Sequence, residues 1–354
     1  MDNSKIENAG VDAIDAKCKA LYGEQKGFHF GVKVPFAAGG PDPLDQVSVY
    51  EGKSDDTSYW HYISYGLTEL YEKESDYEDE SGWGFELTFR LSKGNEEQPP
   101  VWPVSLMQNL ARYVFRTGNV FRPNEHLDAN GPIEVGSNTK LVALGFDTDP
   151  ELEDMETPYG YVEFIQIVAL TKDEFDSMML WSGAKFLELY RKYNPMAVTI
   201  MDRDSYTDIP EFKATLDEGI EKDGSSTGLF YIDSANMDVS ENEEATGKKT
   251  ALFTIGAGQV TKFTKILRAR LTKDKELALQ TPDMTILFKP GEKCAFAKEE
   301  DDFGMFVLAP SVVEQFASIP PHKGQYPIKD LPILVEVVPT YIKDDKGNVV
   351  ETIE

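Results

Sequence analysis

The apolar residues of this chain fall into short patterns, and each pattern predicts an element. Phe85, Leu87, Phe89 and Leu91 alternate with Glu86, Thr88 and Arg90, the period of a half-buried antiparallel strand. Val11, Ile14, Cys18 and Leu21 recur at helical spacing, so a short amphipathic helix is expected near the start. A second helix is expected from Pro103, which a first turn tolerates, with Val104, Met107, Leu110, Ala111 and Val114 on one face and Gly118 at its end. Tyr159 to Leu170 is β-branched and aromatic, as suits a buried strand. It passes into a helix opened by a Thr171–Glu174 capping box and carrying Phe175, Met178 and Met179. Gly183 then predicts a break near Trp181.

Between Asp233 and Lys249 large apolar residues thin out, which predicts a domain boundary. Beyond it β-type segments are expected over 260–271, 284–289, 303–308 and 333–338, with one helix opening at Ser311 and capped by Glu314. Strands do not alternate regularly with crossover helices. The pattern therefore predicts an α+β fold class, two α/β-sandwich-like lobes with mainly antiparallel sheets. A length of 354 residues also favours two domains over one continuous core.

Charge changes the picture. Lys and Arg number 35 against 62 Asp and Glu, a formal net charge of −27, so nucleic acid and anionic membranes are disfavoured partners. Solubility or a salt-adapted source is the first explanation of such acidity; attraction of a basic partner protein is the alternative. Two cysteines, Cys18 and Cys294, sit far apart beside apolar neighbours and read as buried, reduced thiols. The first residues lack the pattern of a signal peptide and no stretch approaches the roughly 20 apolar residues of a membrane span, so a cytoplasmic location is expected.

Candidate chemistry is sparse. The GSSTG segment from Gly224 matches a hydrolase pattern that would make Ser226 a nucleophile. An elbow needs a strand before it and a helix after it, whereas here β-prone residues follow. The GAG segment from Gly256 lacks the third glycine of a dinucleotide loop and reads as a turn entering a strand. His29, His61, His126 and His322 lack metal-ligand spacing, and Asp76, Glu78, Asp79 and Glu80 read as a solvated acidic loop. No cofactor, metal site or catalytic residue is expected.

The run SYWHYISYGLTELY from Ser58 to Tyr71, with GWGFELTFRL from Gly82, crowds aromatic, polar and glycine residues together as a recognition surface would. Its WHYISYGLTELY part, from Trp60, resembles the signature of the suppressor of fused family. Further blocks keep the family order: GGPDPLD from Gly39, PPVWP from Pro99, LMQNLARYVF from Leu106, TPYG from Thr157, FIQIV from Phe164, FLEL from Phe186 and GIEKDGS from Gly219. LRARL from Leu267, CAFAKEE from Cys294 and the segments 283–288 and 311–317 resemble its C-terminal lobe more weakly.

The resemblance implies an N-terminal domain over 1–235, an acidic linker over 236–249 and a C-terminal lobe over 250–354. It implies a non-enzymatic adaptor, monomeric, that clamps an extended peptide of a partner between two lobes by β-augmentation. In the eukaryotic family that partner is a zinc-finger transcription factor of the Hedgehog pathway, sequestered in the cytoplasm; bacterial members are associated with immunity to toxins. Carried over residue by residue, Tyr113 and Phe121 match aromatic peptide-contacting positions and His126 matches a histidine. Glu125 stands where the family has an aspartate. Tyr113 fits a core equally well and Phe121 is more often packing than contact, whereas Glu125 and His126 belong to a polar loop starting at Pro123. Trp60 and His61 read as structural.

Overall fold

The computed structural model describes residues 8–54, 57–242, 248–343 and 347–354. The chain divides into two units, Met1–Phe175 with Gly183–Lys213, and Asp176–Ser182 with Ala214–Glu354.

The first unit is built on one large sheet. Helix α1 (Ala9–Tyr22) is followed by strands β1 (Phe28–Gly31), β2 (Gln46–Ser54), β3 (Thr57–Tyr65) and β4 (Glu80–Ser92), then by α2 (Trp102–Thr117). Strands β5 (His126–Asp128), β6 (Leu141–Thr148), β7 (Met155–Thr157) and β8 (Gly160–Thr171) complete it. The spatial order is β1-β2-β3-β4-β8-β6-β5, with β7 added to β8; β4 and β8 run parallel, and the other pairs are antiparallel. Met107, Leu110, Ala111 and Val114 of α2 pack on Trp60, Tyr62, Leu87 and Phe89 on one face. Ile14 and Cys18 of α1 meet Ile63, Tyr65, Val162 and Phe164 on the other. Gly118 ends α2 in the left-handed conformation, as expected, with φ of 75°.

Helices α3 (Lys172–Leu180), α4 (Gly183–Arg191) and α5 (Pro210–Asp223) follow, and the break expected at Gly183 separates α3 from α4. Of the expected capping box, the acidic half is present: Glu174 Oε2 accepts from the Thr171 amide at 2.9 Å.

The second unit comprises β9 (Leu229–Tyr231), β10 (Ala235–Asn242), β11 (Lys248–Gly256), α6 (Ala257–Leu271), β12 (Leu277–Gln280), β13 (Thr285–Pro290), β14 (Ala295–Glu300) and β15 (Phe303–Leu308). Then come α7 (Pro310–Ala317), β16 (Gly324–Pro327), β17 (Ile333–Val338), β18 (Thr340–Lys343) and β19 (Val349–Ile353). Its sheets run β10-β11-β17-β16 and β14-β15-β13-β12-β9, with β18 and β19 as a separate hairpin. Phe253, Phe263, Phe288, Phe306 and Phe316 form its aromatic core. The molecule is α+β, as the sequence predicts.

Several sequence expectations are corrected. Residues 260–271 are helical: Val260, Phe263, Thr264, Ile266, Leu267 and Leu271 are its buried face, a helical spacing that outweighs the strand-like composition. The GAG segment consequently leads out of a strand into a helix, and the Gly258 amide donates to Thr340 Oγ1 at 3.0 Å. Helix α7 begins at Pro310, not at a Ser311 cap, and Glu314 pairs with Arg268 at 3.0 Å. Much of the 236–249 segment is not a linker: β10 pairs with β11 from Ala235↔Ile255 to Asn242↔Lys248, with Met237 fully buried, while residues 243–247 lie outside the described residues. The division falls earlier because β9 already belongs to the second unit's sheet through its parallel pairing with β12.

Candidate functional site

The sheet of the first unit ends at β5, a three-residue strand bonded to β6 through His126↔Gly145, Leu127↔Leu144 and Asp128↔Ala143. The loop into β5 turns on Asn124, whose φ is 75°, a conformation asparagine tolerates better than most residues. Two bonds clip it to β6: the Asn124 amide donates to Phe146 O at 2.7 Å and the Phe146 amide to Glu125 O at 2.9 Å. The exposed Glu125 side chain accepts from the Arg122 amide through Oε2 at 3.0 Å. His126 is half-buried, its ring edge-on to Phe175 at 5.4 Å.

Phe121 is only 5% exposed. It stacks on Phe146, with centroids 4.3 Å apart, and Tyr113 stacks on it at 5.7 Å. Phe121 therefore supports the site from beneath. Tyr113 is half-buried; its hydroxyl accepts from Asn119 Nδ2 at 3.1 Å, and its ring lines a groove of about 500 Å³ with Phe36, Asn109, Arg112, Phe115 and Arg116. The four residues carried over from the resemblance thus gather at the end of α2 and the entry to β5. The flanking arginines of the groove are additions. Their signal in the sequence is the spacing Arg112, Tyr113, Phe115, Arg116 on the outer side of α2.

The aromatic run itself is buried. Every residue from Tyr59 to Tyr65 is inaccessible or nearly so. Above β3 and β4 lies a polar layer. Arg90, fully buried, donates to Asp149 Oδ2 at 2.7 Å and Oδ1 at 2.9 Å, to Gln166 Oε1 at 2.9 Å and to Glu151 Oε2 at 2.9 Å. His61 Nε2 lies 3.1 Å from Asp149 Oδ2, and Tyr22 Oη 2.6 Å from His61 Nδ1. Because an ionised carboxylate only accepts, the proton belongs on Nε2 and the tyrosine hydroxyl donates to Nδ1. Burial, together with Arg90, lowers the His61 pKa and keeps the ring neutral. Burial opposes charge on Asp149 too, but His61 and Arg90 hold its carboxyl well below the usual range.

Next to this layer, Glu86 is enclosed and accepts from Ser64 Oγ at 2.5 Å, Thr68 Oγ1 at 2.7 Å and the amides of Gly66 and Thr68 at 2.9 and 3.0 Å. Burial pushes its carboxyl up. The alternate residues of β4 thus face not solvent but an internal hydrogen-bonded layer, which corrects the half-buried reading of that strand.

The remaining motifs have structural settings. Ser226 is exposed between α5 and β9, a helix before and a strand after, the reverse of a nucleophile elbow. Among the described residues no three His, Cys, Asp or Glu side chains gather as a metal site would require. No described helix is long and apolar enough to cross a membrane.

Comparison with known proteins fixes the family. A family model for Suppressor of fused protein (SUFU) matches residues 40–204. A chain of the Sufu-Fu complex crystal structure is 32% identical, with a TM-score of 0.55; the match covers 98% of that chain and 59% of this one. The chain belongs to the suppressor of fused family. Human and mouse Suppressor of fused homolog are 38% and 36% identical over 252 residues, each match covering 66% of this chain and 52% of the relative. The chain therefore spans about half the length of the curated suppressor of fused relatives it matches. The crystal structure of Drosophila Suppressor of Fused shares the fold over 94% of this chain and 97% of its own, with a TM-score of 0.77 at 20% identity.

Proposed function

We propose that this suppressor of fused family member is a non-enzymatic binding protein that takes up an extended segment of a partner protein as an added strand. The observation that carries this reading is the position of β5 at the end of the first unit's sheet, entered by a loop with exposed Glu125, while Tyr113, stacked on Phe121 just before that loop, lines a groove. An added strand gains backbone hydrogen bonds from an unpaired edge, while flanking pockets read alternate side chains. The second unit offers a comparable edge at β9, which ends its five-stranded sheet and leaves Leu229 and Tyr231 exposed. A relative crystallised as the Sufu-Fu complex supports a protein partner.

A net charge of −27 favours a basic partner, whether a toxin neutralised in the cytoplasm or a regulator sequestered there. Pull-down with the full chain and with Glu125→Arg, followed by mass spectrometry, tests the reading. Wild type retains a partner that the folded variant loses. Equal recovery by both would remove Glu125 and the β5 edge from the interface. A basic cytotoxic protein among the captured species favours neutralisation, and a DNA-binding protein favours sequestration.

A further inference from the structure

The second half of the signature run, Gly66 to Tyr71, does not join the buried strand before it. It forms one wall of a cleft of about 470 Å³ in the first unit, which shares Phe36 and Phe115 with the Tyr113 groove. The cleft is aromatic: Phe36, Tyr71, Tyr77, Trp83 and Phe115 line it, with Phe115 edge-on to both Phe36 at 4.9 Å and Trp83 at 5.6 Å. Phe36 and Tyr71 are exposed, and Tyr77 is 73% exposed, a large ring left in water at the lip.

Two buried carboxylates shape the walls. Glu86 gathers the Gly66 and Thr68 amides, fixing the turn. Glu69 gathers the amides of Glu74 at 2.7 Å, Ser75 at 2.5 Å and Gly82 at 3.1 Å, fixing the facing loop. Although burial works against it, these amides and Lys73 hold the Glu69 carboxyl low. Lys73, the sole cation within 72–80, is occupied by Glu69 Oε2 at 3.0 Å and by the carbonyls of Glu80 and Tyr159. Glu72, Glu74, Asp76, Glu78, Asp79 and Glu80 are left exposed on the loop. The buried Ser75 hydroxyl at the cleft has no hydrogen-bond partner among the described residues.

Aromatic faces attract cations, carboxylates at the rim reinforce that attraction, and the ring bodies bury apolar groups. We propose that this cleft is a second recognition site, taking a short partner segment in which a basic side chain neighbours an apolar one. The cleft adjoins the Tyr113 groove through Phe36 and Phe115, but no β5 residue lines it and binding there does not depend on strand addition.

The test uses the full chain and fluorescence anisotropy of two end-capped, fluorescein-labelled dodecapeptides, one alternating leucine with arginine and one alternating leucine with glutamate. The arginine peptide binds and the glutamate peptide does not. Tyr77→Ala, and separately the pair Glu72→Lys with Glu74→Lys, weaken binding about tenfold or more. Reversing Glu299 and Glu300 in the second unit, which controls for general attraction to an acidic protein, changes it less than about twofold. Glu125→Arg leaves it unchanged, so failure here and failure of the β5 reading are separable. No binding of the arginine peptide up to millimolar concentration, equal loss on reversing Glu299 and Glu300, or no effect of Tyr77→Ala would each overturn the proposal.

Discussion

The Tyr113 ring lies stacked on Phe121, with centroids 5.7 Å apart and planes 22° apart, so the surface aromatic of the candidate site rests on a core aromatic. The two should respond differently to truncation. Phe121→Ala removes a buried ring from between Tyr113 and Phe146 and is expected to cost about 3–5 kcal/mol of stability. Tyr113→Ala should cost about 2 kcal/mol or less while weakening partner capture at least as much. Urea denaturation and pull-down on both variants check this, and a Phe121→Ala chain of wild-type stability would contradict the packing role.

Asp149 and Arg90 form a two-pronged pair out of reach of water. Asp149→Ala would leave the guanidinium buried without its main counter-charge, and a loss of about 3–5 kcal/mol is expected. Replacement of exposed Asp204, which pairs with exposed Lys140, should leave stability nearly unchanged. Equal midpoints for the two variants would show that the buried pair carries no special weight.

His61 gives the fold an acid sensitivity whose sign follows from its lowered pKa. The unfolded chain takes up a proton there below about pH 6.5, whereas the folded chain resists it. The unfolded state then binds more protons, so stability is full above that pH and falls as pH falls, by up to about 1.4 kcal/mol per pH unit until the folded pKa is reached. His61→Gln should remove this slope between about pH 6.5 and 5. Denaturation midpoints across that range measure it; the same slope in the variant would assign the sensitivity elsewhere.

Glu86 carries the turn from Gly66 to Thr68. Glu86→Ala strands two backbone amides and two hydroxyls, with an expected loss of about 3 kcal/mol or more. Hydrogen exchange should report it first at the Gly66 and Thr68 amides. Protection unchanged at these two positions would mean that the carboxylate does not hold the turn.

What the sequence revealed and concealed follows from the range of the interactions involved. Helix α2 was legible because Pro103, the apolar spacing and Gly118 all act within a few residues. The strand at 85–91 was legible too, but its environment was not: an alternation of Phe and Leu with Glu, Thr and Arg looks the same whether the polar residues meet water or a buried partner. Here the partner of Arg90 is Asp149, 59 positions away. In the second unit, β-rich composition around 260–271 concealed a helical spacing. The Tyr113, Glu125 and His126 cluster could be located only through the family resemblance, since nothing local to those residues marks a binding site.

The brevity of β5 and β9 has a further consequence. A three-residue edge supplies few backbone hydrogen bonds to whatever pairs with it. Two copies of the chain meeting edge to edge would therefore gain little, and the charge of each would push them apart. At β5 and β9, shortness combined with strong acidity guards against self-association and indiscriminate zipping with other exposed strands, so neither is a ready seed for aggregates.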